Sequence, residues 1–69
     1  EMKYIIREDK AKLITEKYKS KYIADKIKVS PSYVSYILSG KRLVSYSVAN
    51  TITQVVDENL SVEELFKNI

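Results

Sequence analysis

The sequence predicts an all-α fold, a compact bundle of five short helices. Three observations predict it. Apolar residues recur at three- and four-residue spacing in successive segments. The only Pro and the only Gly, Pro31 and Gly40, stand where a helix would start and stop. The run Ser61-Val62-Glu63-Glu64 spells a capping box, a signature of a helix N-terminus. With 69 residues the chain 1–69 is a single domain, and so short a chain buries only about 60% of its unfolded surface.

The elements follow in order. Residues 8–18 (EDKAKLITEKY) put Ala11, Leu13, Ile14 and Tyr18 near one side of a first helix. Glu8 and Asp9 suit its positive end. Residues 3–6 (KYII) either extend that helix or form a short extended arm. Residues 20–27 (SKYIADKI) carry Ile23, Ala24 and Ile27 as the stripe of a second helix. Ser30 is a good N-cap for a third helix over 31–39, with Val29 and Val34 at the positions of a hydrophobic staple. Only Lys28, Val29 and Ser30 separate the second and third helices, so the two must cross sharply, as in a helix-turn-helix. A fourth helix runs from about Ser45 to Val56, with Val48, Ile52, Val55 and Val56 as its buried stripe. The capping box then opens a fifth, with Leu60 and Leu65 as its staple and Leu65, Phe66 and Ile69 as its apolar face. Phe66 and Ile69 belong to the core, or, if exposed, to a dimer patch.

The inventory narrows the chemistry. The chain has no Cys and no His, which removes thiolate sites, the commonest metal ligand and the commonest general base. Its carboxylates are scattered, and the capping box and helix-start electrostatics account for Glu63 and Glu64. The inventory argues against an enzyme and implies no metal, cofactor or small-molecule ligand. No apolar run approaches the ~20 residues that span a bilayer, and the first residues lack the layout of a secretory signal. A cysteine-free composition suits the cytoplasm.

Net charge is +3, unevenly spread. Residues 1–42 hold eleven Lys or Arg against five Asp or Glu, and residues 43–69 one Lys against four acids. A basic body suggests a polyanionic partner, although lysines also simply solubilise helix surfaces.

The third helix carries the sharper signal. In projection Val34, Ile37 and Leu38 face the body, and Ser32, Tyr36 and Ser39 lie nearly opposite, flanked by Tyr33 and Ser35. That outer side is hydroxyls and phenols with no charge, where a merely solvated helix would carry Lys, Glu or Gln. B-DNA's major groove is wide enough to admit one such helix. Lys41 and Arg42 follow it, and Lys19, Lys21, Lys26 and Lys28 lie on or beside the preceding helix. Cations placed there suit phosphates, which supply most of the affinity in such complexes.

The run KSKYIADKIKVSPSYVSYILSGKR resembles the helix-turn-helix of the Xre-like family, the phage Cro and repressor (lambda-repressor-like) fold. The resemblance rests on Ile23–Ala24, Val29–Ser30, Val34–Ser35–Tyr36–Ile37 and Gly40–Lys41–Arg42. The closing LSVEELF at 60–66 is similar to the family's last helix. It implies a sequence-specific regulator of transcription, of the phage or mobile-element type, that binds a double-stranded DNA operator as a homodimer. It implies a phosphate contact at Ser20, base reading at Pro31, Ser32, Tyr33 and Tyr36, and phosphate contacts at Ser39, Lys41 and Arg42. Lys21 joins them as a flanking cation.

Three residues depart from the family's pattern. The usual Ser or Thr cap of the second helix falls on Lys19, which cannot cap, so Ser20 is expected to cap instead. The turn position commonly Gly is Lys28. Pro31 lacks a donor and offers only shape or a thymine-methyl contact. Tyr33 either reads a base or packs against the second helix, and Tyr22 lies over the Ile23–Ala24 stripe. Tyr4, Tyr18 and Tyr46 belong to the core or its rim. The rival expectation is a protein-interaction module on the same fold, an antitoxin-like or anti-repressor partner, with the tyrosine face on protein, where Tyr is also enriched.

Overall fold

The first and last segments of the chain pair with each other. The computed structural model describes residues 2–69. In chain order the elements are β1 (Tyr4–Ile6), α1 (Glu8–Lys17), α2 (Ser20–Ile27), α3 (Pro31–Leu38), α4 (Tyr46–Val56), α5 (Val62–Leu65) and β2 (Phe66–Asn68). β1 and β2 run antiparallel, with Tyr4 opposite Asn68, Ile5 opposite Lys67 and Ile6 opposite Phe66. On its other edge Tyr4 exchanges both backbone bonds with Val44, at 2.8 and 2.9 Å.

The described residues are therefore mostly helical, with five helices and one short strand pair, and not all-α. Residues 3–6 take the extended option. Tyr4 and Ile6 point into the core and Ile5 between them is half-buried, the period-two pattern of a strand. The fifth helix stops after Leu65 instead of running to Ile69, which is 70% exposed. Leu65, Phe66 and Ile69 satisfy helical spacing, yet Phe66 has φ −126° and ψ 154° and is fully buried opposite Ile6. The strand sixty residues earlier supplies β2's backbone partners, and no local pattern at the C-terminus announces that.

Five helices and the strand pair enclose one core. Ile23 and Ala24 of α2, Val34 and Ile37 of α3, Ala49 and Ile52 of α4, and Phe66 have no solvent exposure. Each large apolar side chain buried this way contributes about 1.5–3 kcal/mol. Two stripes differ from expectation. In α1, Ala11 and Ile14 are buried but Leu13 is 58% exposed, because it lies about 100° round the helix from Ile14. In α4 the buried centre is Ala49, Ile52 and Thr53, and Val48, Val55 and Val56 only flank it. Thr53 is fully buried because its hydroxyl donates to the Ala49 carbonyl at 2.8 Å, which satisfies the polar group.

Local signals at the starts of α4 and α5 hold. The Ser45 hydroxyl accepts from the Val48 N–H at 3.3 Å. At α5 the Glu64 carboxylate accepts from the Ser61 N–H at 2.7 Å and from its hydroxyl at 3.3 Å. Arg7 ties the ends together, its Nε donating to the Glu63 carbonyl at 2.9 Å and its N–H to the Leu65 carbonyl at 2.8 Å. Tyr4 is core, Tyr18 is half-buried, and Tyr46, 49% exposed, meets Tyr4 edge-on at 5.7 Å. No helix among the described residues is long and apolar enough to cross a membrane.

Candidate nucleic-acid interface

The candidate site is built on α3, and two backbone devices aim that helix. The first is the turn over residues 28–30. Lys28 takes the left-handed conformation, φ 64° and ψ 47°, and its N–H returns to the Ala24 carbonyl. The Val29 N–H reaches the same carbonyl at 3.1 Å. A residue with a Cβ in that conformation carries strain of about 1–2 kcal/mol. The chain then enters α3 through Ser30, whose hydroxyl accepts from the Tyr33 N–H at 3.2 Å. Pro31 fills the first helical position, where no N–H is needed.

The second device ends α3. Gly40 adopts φ 79°, the Gly40 N–H donates to the Ile37 carbonyl at 3.1 Å, and the Lys41 N–H donates to the Tyr36 carbonyl at 3.0 Å. That pair of bonds is a Schellman closure. It fixes the direction in which Lys41 and Arg42, both exposed, leave the helix.

Between these devices α3 sorts its side chains as expected. Val34, Ile37 and Leu38 are buried. Pro31, Ser32, Ser35, Tyr36 and Ser39 are exposed, Tyr36 by 56%. The exposed face carries no charge of its own, with two cations at its C-terminal edge. The Ser39 hydroxyl donates to the Tyr36 carbonyl at 2.9 Å. Its proton is thereby committed to the helix, so contact with an anion requires the hydroxyl to turn.

Tyr33 stands apart from the other α3 residues. It is half-buried and packs against the core. It lines a groove of about 420 Å³ with Ile27, Val29 and Val48. Val29 is exposed in that groove, while Val34 is fully buried. The Arg42 guanidinium carbon lies 5.0 Å from the centroid of the Tyr33 ring, a cation–π distance.

At α2, Lys19 is the N-cap residue and no side chain caps the helix. Ser20 is half-buried as the first helical residue and does not cap, contrary to expectation. Lys21 beside it is exposed. Tyr22 is 45% exposed. It stacks on Tyr18 with centroids 5.3 Å apart and planes 12° from parallel. Lys26 sits over Tyr22 at 5.4 Å and Lys17 over Tyr18 at 5.6 Å, so these two lysines are engaged with rings. The stack was hidden in the sequence because its members straddle the joint between α1 and α2, where helical spacing no longer applies.

Among the described residues no group of three or more acidic side chains is placed to hold a metal ion. Comparison with protein-family models, with curated proteins and with solved structures finds no match to this chain.

Proposed function

We propose that the protein is a sequence-specific double-stranded DNA-binding regulator of transcription, of the phage or mobile-element Cro and repressor type. In this reading α2, the turn at Lys28 and α3 act as a helix-turn-helix, and α3 enters the major groove. Ser32 and Tyr36 meet base edges, and Lys41, Arg42 and Lys21 meet phosphates. Two copies bind a two-fold-related operator with half-sites about 34 Å apart. One observation carries this reading. The exposed side of α3 is uncharged, rich in hydroxyls and phenol, and bordered by two cations that a fixed turn presents. Major-groove readers combine polar groups for base edges with cations for the flanking strands.

The test is selection of bound duplexes from a random pool by the purified protein. A two-fold-symmetric sequence is expected. The double variant Lys41→Ala/Arg42→Ala should weaken binding to every duplex and reduce the slope of log affinity against log salt by about 0.9 per lost phosphate contact. Should that variant bind as tightly as the parent, with an unchanged slope, the DNA reading fails and the protein-interaction module takes its place.

A further inference from the structure

We infer that Tyr33 is a positioning residue for Arg42: its ring holds the guanidinium ready for a phosphate, and it does not itself read a base. The inference rests on the DNA reading above and changes the role that resemblance gives to Tyr33.

The argument starts from what surrounds the ring. Tyr33 is the third residue of α3, and its N–H is held by the Ser30 cap. Its side chain is half-buried and packed on the core beside Ile27 and Val48. Arg42 lies over the ring at 5.0 Å. Packing on the core and the guanidinium over the ring together leave Tyr33 less ring surface for a base than an exposed tyrosine has. Tyr36, three residues on and 56% exposed, has the access that Tyr33 lacks.

The same contact gives Arg42 something an exposed arginine lacks. Its backbone direction is set by the closure at Gly40 and Lys41, and the ring then restricts its long side chain. A guanidinium over an aromatic ring is attracted through its flat face. A guanidinium so held keeps N–H donors for bidentate contact with an anion. Preorganisation of this kind raises affinity because less rotamer freedom remains to be lost on binding. Two residues nine apart in sequence thus act as one unit.

The test is a double-mutant cycle on a duplex selected by the parent, with thermal melts confirming that each variant folds. Tyr33→Phe keeps the ring and loses the hydroxyl, and should leave affinity and selected sequence unchanged. Tyr33→Leu keeps apolar packing without the ring, and should weaken binding about two- to fivefold, as an exposed cation–π contact would. In an Arg42→Ala background the same Tyr33→Leu change should have no effect. In the free protein the Arg42 side-chain protons should show an upfield ring-current shift that survives Tyr33→Phe and disappears in Tyr33→Leu. If Tyr33→Phe changes the selected sequence, or the Tyr33→Leu loss persists without Arg42, the positioning role is overturned while the DNA reading stands. If the parent binds no duplex, both fall together.

Discussion

Lys28 offers a direct check on how the α2–α3 turn is held. It is the only described residue other than Gly40 with positive φ, at 64°. A side chain with a Cβ costs about 1–2 kcal/mol there. Glycine would remove that strain but add about 0.5–1 kcal/mol of unfolded-state entropy. Any lysine at a helix C-terminus also gains about 0.3–1 kcal/mol from the helix dipole, which every uncharged replacement forfeits. Comparing Lys28→Gly with Lys28→Ala cancels the charge and isolates the backbone. The glycine variant should be the more stable by about 1 kcal/mol, a gap of roughly 4–8 °C in thermal midpoint for a domain of this size. Lys28→Gly itself should fall close to the parent, because strain relief and the lost cation offset each other. Lys28→Asn, which tolerates the left-handed region, should lie between Gly and Ala. Urea unfolding with equal m-values would assign the difference to native stability. An alanine variant as stable as the glycine variant would refute the reasoning, because the residue would then not occupy the left-handed region.

Three further outcomes follow from the same structure. A Cβ added at Gly40 would meet nothing within 4 Å, so Gly40→Ala should cost only its left-handed strain less the entropy glycine loses on folding, about 1 kcal/mol net, seen as a lower thermal midpoint. Phe66→Ala should cost about 3–5 kcal/mol. At roughly 0.05–0.15 kcal/mol per residue that is a third or more of the stability of so small a domain, so circular dichroism should show a thermal midpoint lowered by about 10 °C or more. Tyr36→Ala should leave stability within about 0.5 kcal/mol of the parent, because the ring is exposed, yet broaden the set of duplexes that the protein selects.

What could be seen in the sequence was what depends on neighbours in the chain. Ser30, Pro31 and Gly40 mark the ends of α3 because each acts on backbone groups within a few residues, and Ser61 with Glu64 marks the start of α5 for the same reason. The buried and exposed sides of α3 follow from helical period alone. Contacts between distant segments were not visible. Phe66 fits a helix by spacing and becomes a strand residue only because Ile6 lies opposite. Leu13 is apolar and close in sequence to Ala11 and Ile14, but helix rotation carries it to solvent. Thr53 entered the core through a bond to its own helix, an option no hydrophobic pattern records. In the candidate site, the placement of Tyr36, Lys41 and Arg42 was legible from order and caps. The seating of Arg42 on Tyr33 was not, because it depends on the path of the chain after Gly40.

The central claim is that the hydroxyl- and phenol-bearing side of α3, with Lys41 and Arg42 at its edge, is the surface that meets duplex DNA. Mapping amide chemical shifts of the labelled protein during titration with a parent-selected duplex at low salt tests it most directly. The largest changes should fall on Ser20, Lys21, residues 32–36 and residues 39–42, and should fade as salt rises. Changes centred instead on β1 and β2 or on the Tyr18–Tyr22 stack, with residues 31–42 silent, would contradict it.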